Sequence, residues 1–215
     1  MTLRTLPKTN RTTVTVAPAK GLAWLTAGLA AFALVTLSGC TVAPKGKTLD
    51  KGTITRPTAT IPATAEREAA TLGFVKSLAG TWQMTDEKGA ATVSNVFAVT
   101  SNGAVVREIM FPGSPHEMTN TYHMDGDDLL VTHYCAVGNQ PRMHCVRSTP
   151  TELVFVYDSI TNFSGKEGTT YMAELTLTKV DADTMKQTWH HWTMGPDGVG
   201  KRSGEPTEFE VKRQK

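Results

Sequence analysis

From Thr81 onward, apolar and polar side chains alternate in short runs, and turn-forming residues interrupt them about every ten positions. A strand turns successive side chains to opposite faces, so this rhythm belongs to antiparallel strands joined by hairpins. We read ten strands, near 81–86, 91–99, 104–110, 117–124, 127–134, 141–147, 152–157, 171–179, 184–194 and 205–213. Asn102-Gly103 suits a two-residue type I′ hairpin, Asp125-Gly126 another tight turn, and Asp181-Ala182-Asp183 a short one. The stretches 158–170 and 195–204 read as long loops of the kind that gather at a barrel mouth. Hairpin-linked strands in sequence leave unpaired edges unless the sheet closes. The expected fold is therefore all-β, an antiparallel up-and-down barrel of about ten strands preceded by one short helix.

Alternation also assigns faces. Val93, Phe97 and Val99 should point one way, as should Tyr171, Ala173, Leu175 and Leu177, and Phe209 with Val211. Upstream, Thr64 reads as the N-cap of a helix over 65–79, with Glu66 and Glu68 complementing the dipole in the first turn. Leu72, Val75 and Ala79 form one apolar stripe, Phe74 and Leu78 an adjoining one, and Gly80 is placed to end the helix.

The chain is long enough, at 215 residues with 40% hydrophobic content, for one domain with a core and several tens of residues besides. Those extra residues begin with an export address. Arg4, Lys8, Arg11 and Lys20 precede an uncharged apolar run, Gly21 to Leu37, in the order of a bacterial signal sequence. As a helix that run would span only about 25 Å, short of the roughly 30 Å hydrocarbon core. Leu37-Ser38-Gly39-Cys40 resembles the lipobox of bacterial lipoproteins. The resemblance implies cleavage before Cys40, lipid on its thiol and, with Thr41 rather than Asp next, sorting to the outer membrane. Multiple acyl chains anchor stably where one does not. Residues 40–64, rich in Thr and Pro, read as a tether, leaving 1–39 as signal peptide and 65–215 as the barrel domain. Without the leader, Lys plus Arg fall to 18 against 20 acidic residues, so no basic surface for nucleic acid is expected.

Leu78-Ala79-Gly80-Thr81-Trp82 resembles the G-x-W opening of the calycin superfamily, the lipocalins and fatty-acid-binding proteins. There a short helix leads into a first strand whose Trp closes one barrel end under a basic side chain from the last strand. The resemblance implies that Lys212 or Arg213 covers Trp82. The chain lacks the T-D-Y segment of lipocalins, the terminal Arg-x-Tyr that clamps a fatty-acid carboxylate, and the Gly-x-Gly of nitrobindin-like haem barrels. His133-Tyr134-Cys135-Ala136-Val137-Gly138-Asn139-Gln140-Pro141-Arg142-Met143 resembles a hairpin found in other bacterial barrel proteins, a likeness that carries no activity with it.

With a hairpin centred on Gln140, Cys135 and Cys145 would face each other, and a disulfide or two buried thiols are the alternatives. The tip amide Asn139 and the guanidinium of Arg142 would sit together at a rim, able to grip an anion or simply to satisfy the turn. On the strand 184–194, His191 shares a face with Met185, Gln187 and Trp189. Phe97, Tyr122, His133, Leu175, Gln187, Trp189 and His191 are the expected wall of an interior site. The methionines, among them Met124, Met143 and Met185, suit an adaptable apolar lining. No metal site is expected, and no cofactor, with haem on an inward His the exception considered. Eight strands already enclose room for one small ligand, so ten should leave a cavity.

The expected function is an envelope lipoprotein, tethered to membrane through Cys40, that binds a small hydrophobic or amphipathic ligand inside the barrel. The alternatives are a haem-binding or His/Cys-dependent enzyme barrel, and a purely structural envelope protein.

Overall fold

The computed structural model describes residues 61–85 and 88–215. The signal peptide, Cys40 and all but the last residues of the tether lie outside them. Eleven strands follow two short helical segments: β1 (Gly80–Thr85), β2 (Ala91–Thr100), β3 (Val105–Met110), β4 (Met118–Asp125), β5 (Asp128–Tyr134), β6 (Gln140–Ser148), β7 (Glu152–Thr161), β8 (Thr170–Lys179), β9 (Thr184–Met194), β10 (Gly200–Arg202) and β11 (Thr207–Arg213). All pairings are antiparallel. They run β9-β11-β1-β2 and onward to β8, and β8 pairs back with β9 to close the ring, leaving β10 outside as a short partner of β9. The barrel thus has ten strands in its wall. The last strand continues the meander from β9 and closes it on β1.

The helix is broken. Segment α1 (Ala65–Ala70) is capped by Thr64, whose Oγ1 accepts from Arg67 N at 3.2 Å, and α2 (Leu72–Lys76) follows after Thr71. Thr71 has φ −117° and ψ −83°, and its hydroxyl donates to the Arg67 carbonyl at 2.6 Å, an alternative to helical continuation typical of Thr. Gly80 does not end the helix but opens β1, at φ +128°. The expected stripes are buried except at Ala79, which is exposed: Leu72, Phe74, Val75 and Leu78 are each at most 5% exposed.

These segments close one end. Lys76 approaches the β2–β3 turn, Arg67 Nε donates to the Asp127 carbonyl of the β4–β5 turn, Ser148 at the end of β6 donates to Ala70 O, and Lys179 at the end of β8 lies over Phe74 at 3.8 Å. Trp82 completes this floor. It is 1% exposed, its indole N–H donates to Leu78 O at 2.8 Å, and Arg213 sits 4.3 Å from the ring centroid while its guanidinium donates to Ala79 O and Ser77 O. The strand connections 111–117, 135–139, 162–169 and the turns flanking β10 lie at the opposite end, the mouth.

Several local expectations change. The β2–β3 connection has four residues, not two: Thr100 pairs with Val105, and Ser101, Asn102 and Gly103 all take positive φ. Val93 and Val99 are 38% and 44% exposed although Phe97 between them is 2% exposed. A bulge in β2 opposite Trp82 and Gln83 resets the alternation near Val93. Strand β7 continues to Thr161, which shortens the loop after it, and 195–204 contains β10.

The axis is not an open tube. Tyr122 lies between the Phe97 ring, 6.5 Å away, and the Phe155 ring, 6.0 Å away, and Leu175, Leu177, Met143 and Met185 are fully buried around them. Glu108 on β3 reaches Gln187 on β9, so at that level side chains meet across the barrel. The cavity expected from strand number alone is in this region occupied by the protein's own aromatic and aliphatic groups.

Candidate functional site

Above the apolar floor, toward the mouth, four strands turn polar side chains inward. Glu108, completely buried, receives Asn95 Nδ2 and Gln187 Nε2 on Oε1, both at 2.6 Å, and Asn120 Nδ2 and the Tyr122 hydroxyl on Oε2, both at 2.7 Å. Each of the three amides has its oxygen met by an outer group. Ser94 Oγ donates to Asn95 Oδ1 at 2.6 Å, Trp189 Nε1 donates to Gln187 Oε1 at 3.1 Å, and His133 Nδ1 lies 2.7 Å from Asn120 Oδ1. Burial pushes the Glu108 carboxyl above its ordinary range, and the four donors pull the other way. Burial together with the neighbouring Glu108 raises Tyr122 well above the usual phenol value.

His133 is 1% exposed and its ring stands 4.9 Å from that of Trp189. Burial lowers its pKa to about 4, so the imidazole is neutral at pH 7. Its Nε2 is buried with no hydrogen-bond partner, and so is Oδ1 of Asn139, which is 5% exposed. The β5–β6 register carries Thr132 to Arg142 and hence His133 toward Pro141, so Asn139 lies two residues on along the facing strand. Such diagonal neighbours have Cβ atoms about 7–8 Å apart. Both atoms belong to the most distinctive run of the sequence.

A second feature opens at the mouth. Thr92, Val93, Phe111, Pro112, Ser114, His116 and Phe209 line an apolar depression of about 530 Å³. Phe111 and Phe209 meet edge to face at 5.3 Å. Phe111 has φ +52°, a conformation costly for a bulky side chain, and is held there by its N–H on Ser94 O at 2.6 Å. The depression adjoins the polar cluster through two links: Phe209 is the direct pair of Gln187, and Ser94 touches both Phe111 and Asn95.

Tyr122, His133, Gln187 and Trp189 are thus brought together in one network, and Phe97 and Leu175 pack in the layer beneath. His191 is not part of it. A bulge in β8 between Met172 and Glu174 shifts the pairing so that His191 stands opposite Met172, and the half-buried His191 ring rests against Gly204 of the turn before β11. Arg142 is separated from Asn139 as well. Pro141 and Met143 are buried and Arg142 is exposed, so the guanidinium faces outward onto a concavity with Thr132, Tyr134, Gln140, Ser159 and Thr161. Residues an odd number of positions apart in a strand take opposite faces.

Of the two alternatives for Cys135 and Cys145, register rules out the disulfide. The hairpin is centred on Val137, Cys135 N donates to Asn139 O, and Cys145 lies six residues farther along β6. At about 3.3 Å per residue that puts roughly 20 Å between the two thiols, and both are free. Burial raises the Cys145 thiol, which donates to Arg147 O at 3.3 Å.

Sequence reading missed Glu108, Asn95 and Asn120. The signal was present: each is polar at the parity of an inward apolar neighbour, Glu108 with Val106 and Met110, Asn120 with Tyr122, Asn95 with Phe97.

No protein-family profile matches the chain, and no curated protein matches it.

Proposed function

We propose that this chain is an envelope lipoprotein, held through lipid on Cys40 at the periplasmic face of the outer membrane, that binds a small hydrophobic or amphipathic ligand at the barrel mouth. The ligand site is narrower than the whole axis. Its apolar part occupies the depression between Phe111 and Phe209, and its polar part addresses the cluster beneath. The observation that carries the reading is an apolar groove of about 530 Å³ beside a buried polar network: Phe209 of the groove pairs with Gln187, Ser94 touches both Phe111 and Asn95, and the network holds an unused hydrogen-bonding atom, His133 Nε2. Binding sites combine these traits, apolar walls with a few fixed polar groups. A ligand reaching His133 displaces methionines, since Met110 touches Asn120 and pairs with Met118 across β3 and β4; unbranched thioether side chains yield at low cost. The calycin resemblance supports the same reading through Trp82 and its covering Arg213.

The test uses N-phenyl-1-naphthylamine, whose fluorescence rises in apolar sites. Saturable binding to the purified protein, weakened at least about tenfold by Phe209→Asp in a variant that still unfolds cooperatively, is expected. Absence of saturable binding, or equal binding by the variant, would remove the mouth as the site.

A further inference from the structure

The polar network has a direction. At its centre is a carboxyl group, and three amides turn their NH2 groups to it: Asn95, Asn120 and Gln187. An amide so oriented must point its oxygen outward, where it needs a donor. For Asn95 that donor is the Ser94 hydroxyl and for Gln187 the Trp189 indole, a group that can only donate. The third amide, Asn120, presents its oxygen to His133 Nδ1. By the same logic Nδ1 carries the proton. A neutral imidazole holds one N–H, so Nε2 is left with a lone pair, buried beside Trp189 with nothing donating to it.

We propose that Glu108, acting through Asn120, fixes His133 as its Nδ1–H tautomer, so that Nε2 reads the ligand as a hydrogen-bond acceptor and selects a neutral amphipath whose head group donates, such as an alcohol. The inference rests on the binding reading above and deepens it by naming the ligand class. Asn139 Oδ1, unpartnered in the same hairpin, is an acceptor too, so these two positions ask for the same kind of group; the third unpartnered buried atom among the described residues, His190 Nδ1, belongs to β9 outside the cluster. A carboxylate offers only acceptor atoms and would set lone pairs against lone pairs. The two guanidiniums of the β5–β6 hairpin, Arg142 and Arg147, are both exposed, Arg147 paired with Glu152, and cannot neutralise it from within. Leaving such acceptors opposed by the wrong group costs more than a hydrogen bond gains, which is why sites built to bond a hydroxyl discriminate strongly.

Two measurements on the purified full-length protein test this. In the first, 1-decanol, decyl methyl ether and decanoate compete for bound N-phenyl-1-naphthylamine. Decanol is expected to displace it at a concentration at least about tenfold below the ether and decanoate, a preference that falls below about threefold in His133→Phe, which keeps a ring against Trp189. Equal or reversed ranking in the parent, or failure of all three to displace the probe, overturns the proposal and leaves the binding reading intact, whereas absence of saturable probe binding removes both. In the second, long-range ¹⁵N–¹H correlation of the histidine rings reports the tautomer without any ligand. His133 is expected to be protonated at Nδ1; a proton on Nε2 overturns the proposal whatever the ligand ranking.

Discussion

Glu108 is the most heavily committed side chain of the interior, and truncating it strands donors rather than removing one contact. Glu108→Ala leaves three amide groups and a phenol without their acceptor in a site closed to water. We expect a loss of at least about 3 kcal/mol, read as a lower urea midpoint, with Glu108→Gln losing less because one oxygen still accepts. His133 gives the pH dependence its sign. Its folded pKa of about 4 lies below the ordinary 6.5, so its contribution is complete above pH 6.5 and is lost as the pH falls toward 4, about 3 kcal/mol in all. Glu108, raised by burial, acts in the opposite direction: what it contributes is present in acid and is lost as the pH rises through its folded value. Comparing urea midpoints of the parent and His133→Phe at pH 7 and 4.5 isolates the histidine, and the parent is expected to lose ~2 kcal/mol more than the variant over that interval. Trp82, buried under Arg213, is the apolar counterpart: Trp82→Ala should cost about 3–5 kcal/mol through the cavity it leaves.

At the scale of elements, strand positions were legible because a period of two survives without any tertiary information, and each of the ten wall strands lies within a few residues of its expected place. What was not legible was whatever depends on register. The β5–β6 hairpin is one case: the expected centre is Gln140, yet the chain turns at Ala136-Val137-Gly138, where Gly138 supplies φ +91°, and the cysteines part company as a result. Thiol titration is expected to find Cys135 and Cys145 unbridged, with no change in mass on reduction. Bulges are the other case. The shift in β8 sets His191 opposite Met172, with its ring against Gly204 instead of in the polar cluster, and nothing local in Met172-Ala173-Glu174 announces it. Gly80 tests the junction of helix and sheet: its φ of +128° and the Arg213 guanidinium 3.0 Å from where a Cβ would stand mean that Gly80→Ala should lower stability by about 1 kcal/mol or more in the same urea assay.

For the whole molecule, the closed wall followed from counting strands, whereas the filled lower half did not, because strand number sets a diameter and only side chains decide what occupies it. Polar groups at inward parity looked like ordinary alternation until five strands brought Asn95, Glu108, Asn120, His133 and Gln187 to one level. Membrane attachment belongs to this scale too. Under the proposed tethering, Cys40→Ser should release the protein from sedimenting membranes with its unfolding curve unchanged; a variant that still sediments would remove lipid on that thiol as the anchor.

The placement of β11 between β9 and β1 also makes closure depend on the C-terminal segment. Until the residues from Thr207 onward dock, the opening strand has an unbonded rim, its indole has no cation above it, and the ring stands ajar. A chain in that state is a template for stray strands. Premature termination anywhere upstream of Thr207 should therefore yield not a slightly weakened barrel but sticky, protease-sensitive material.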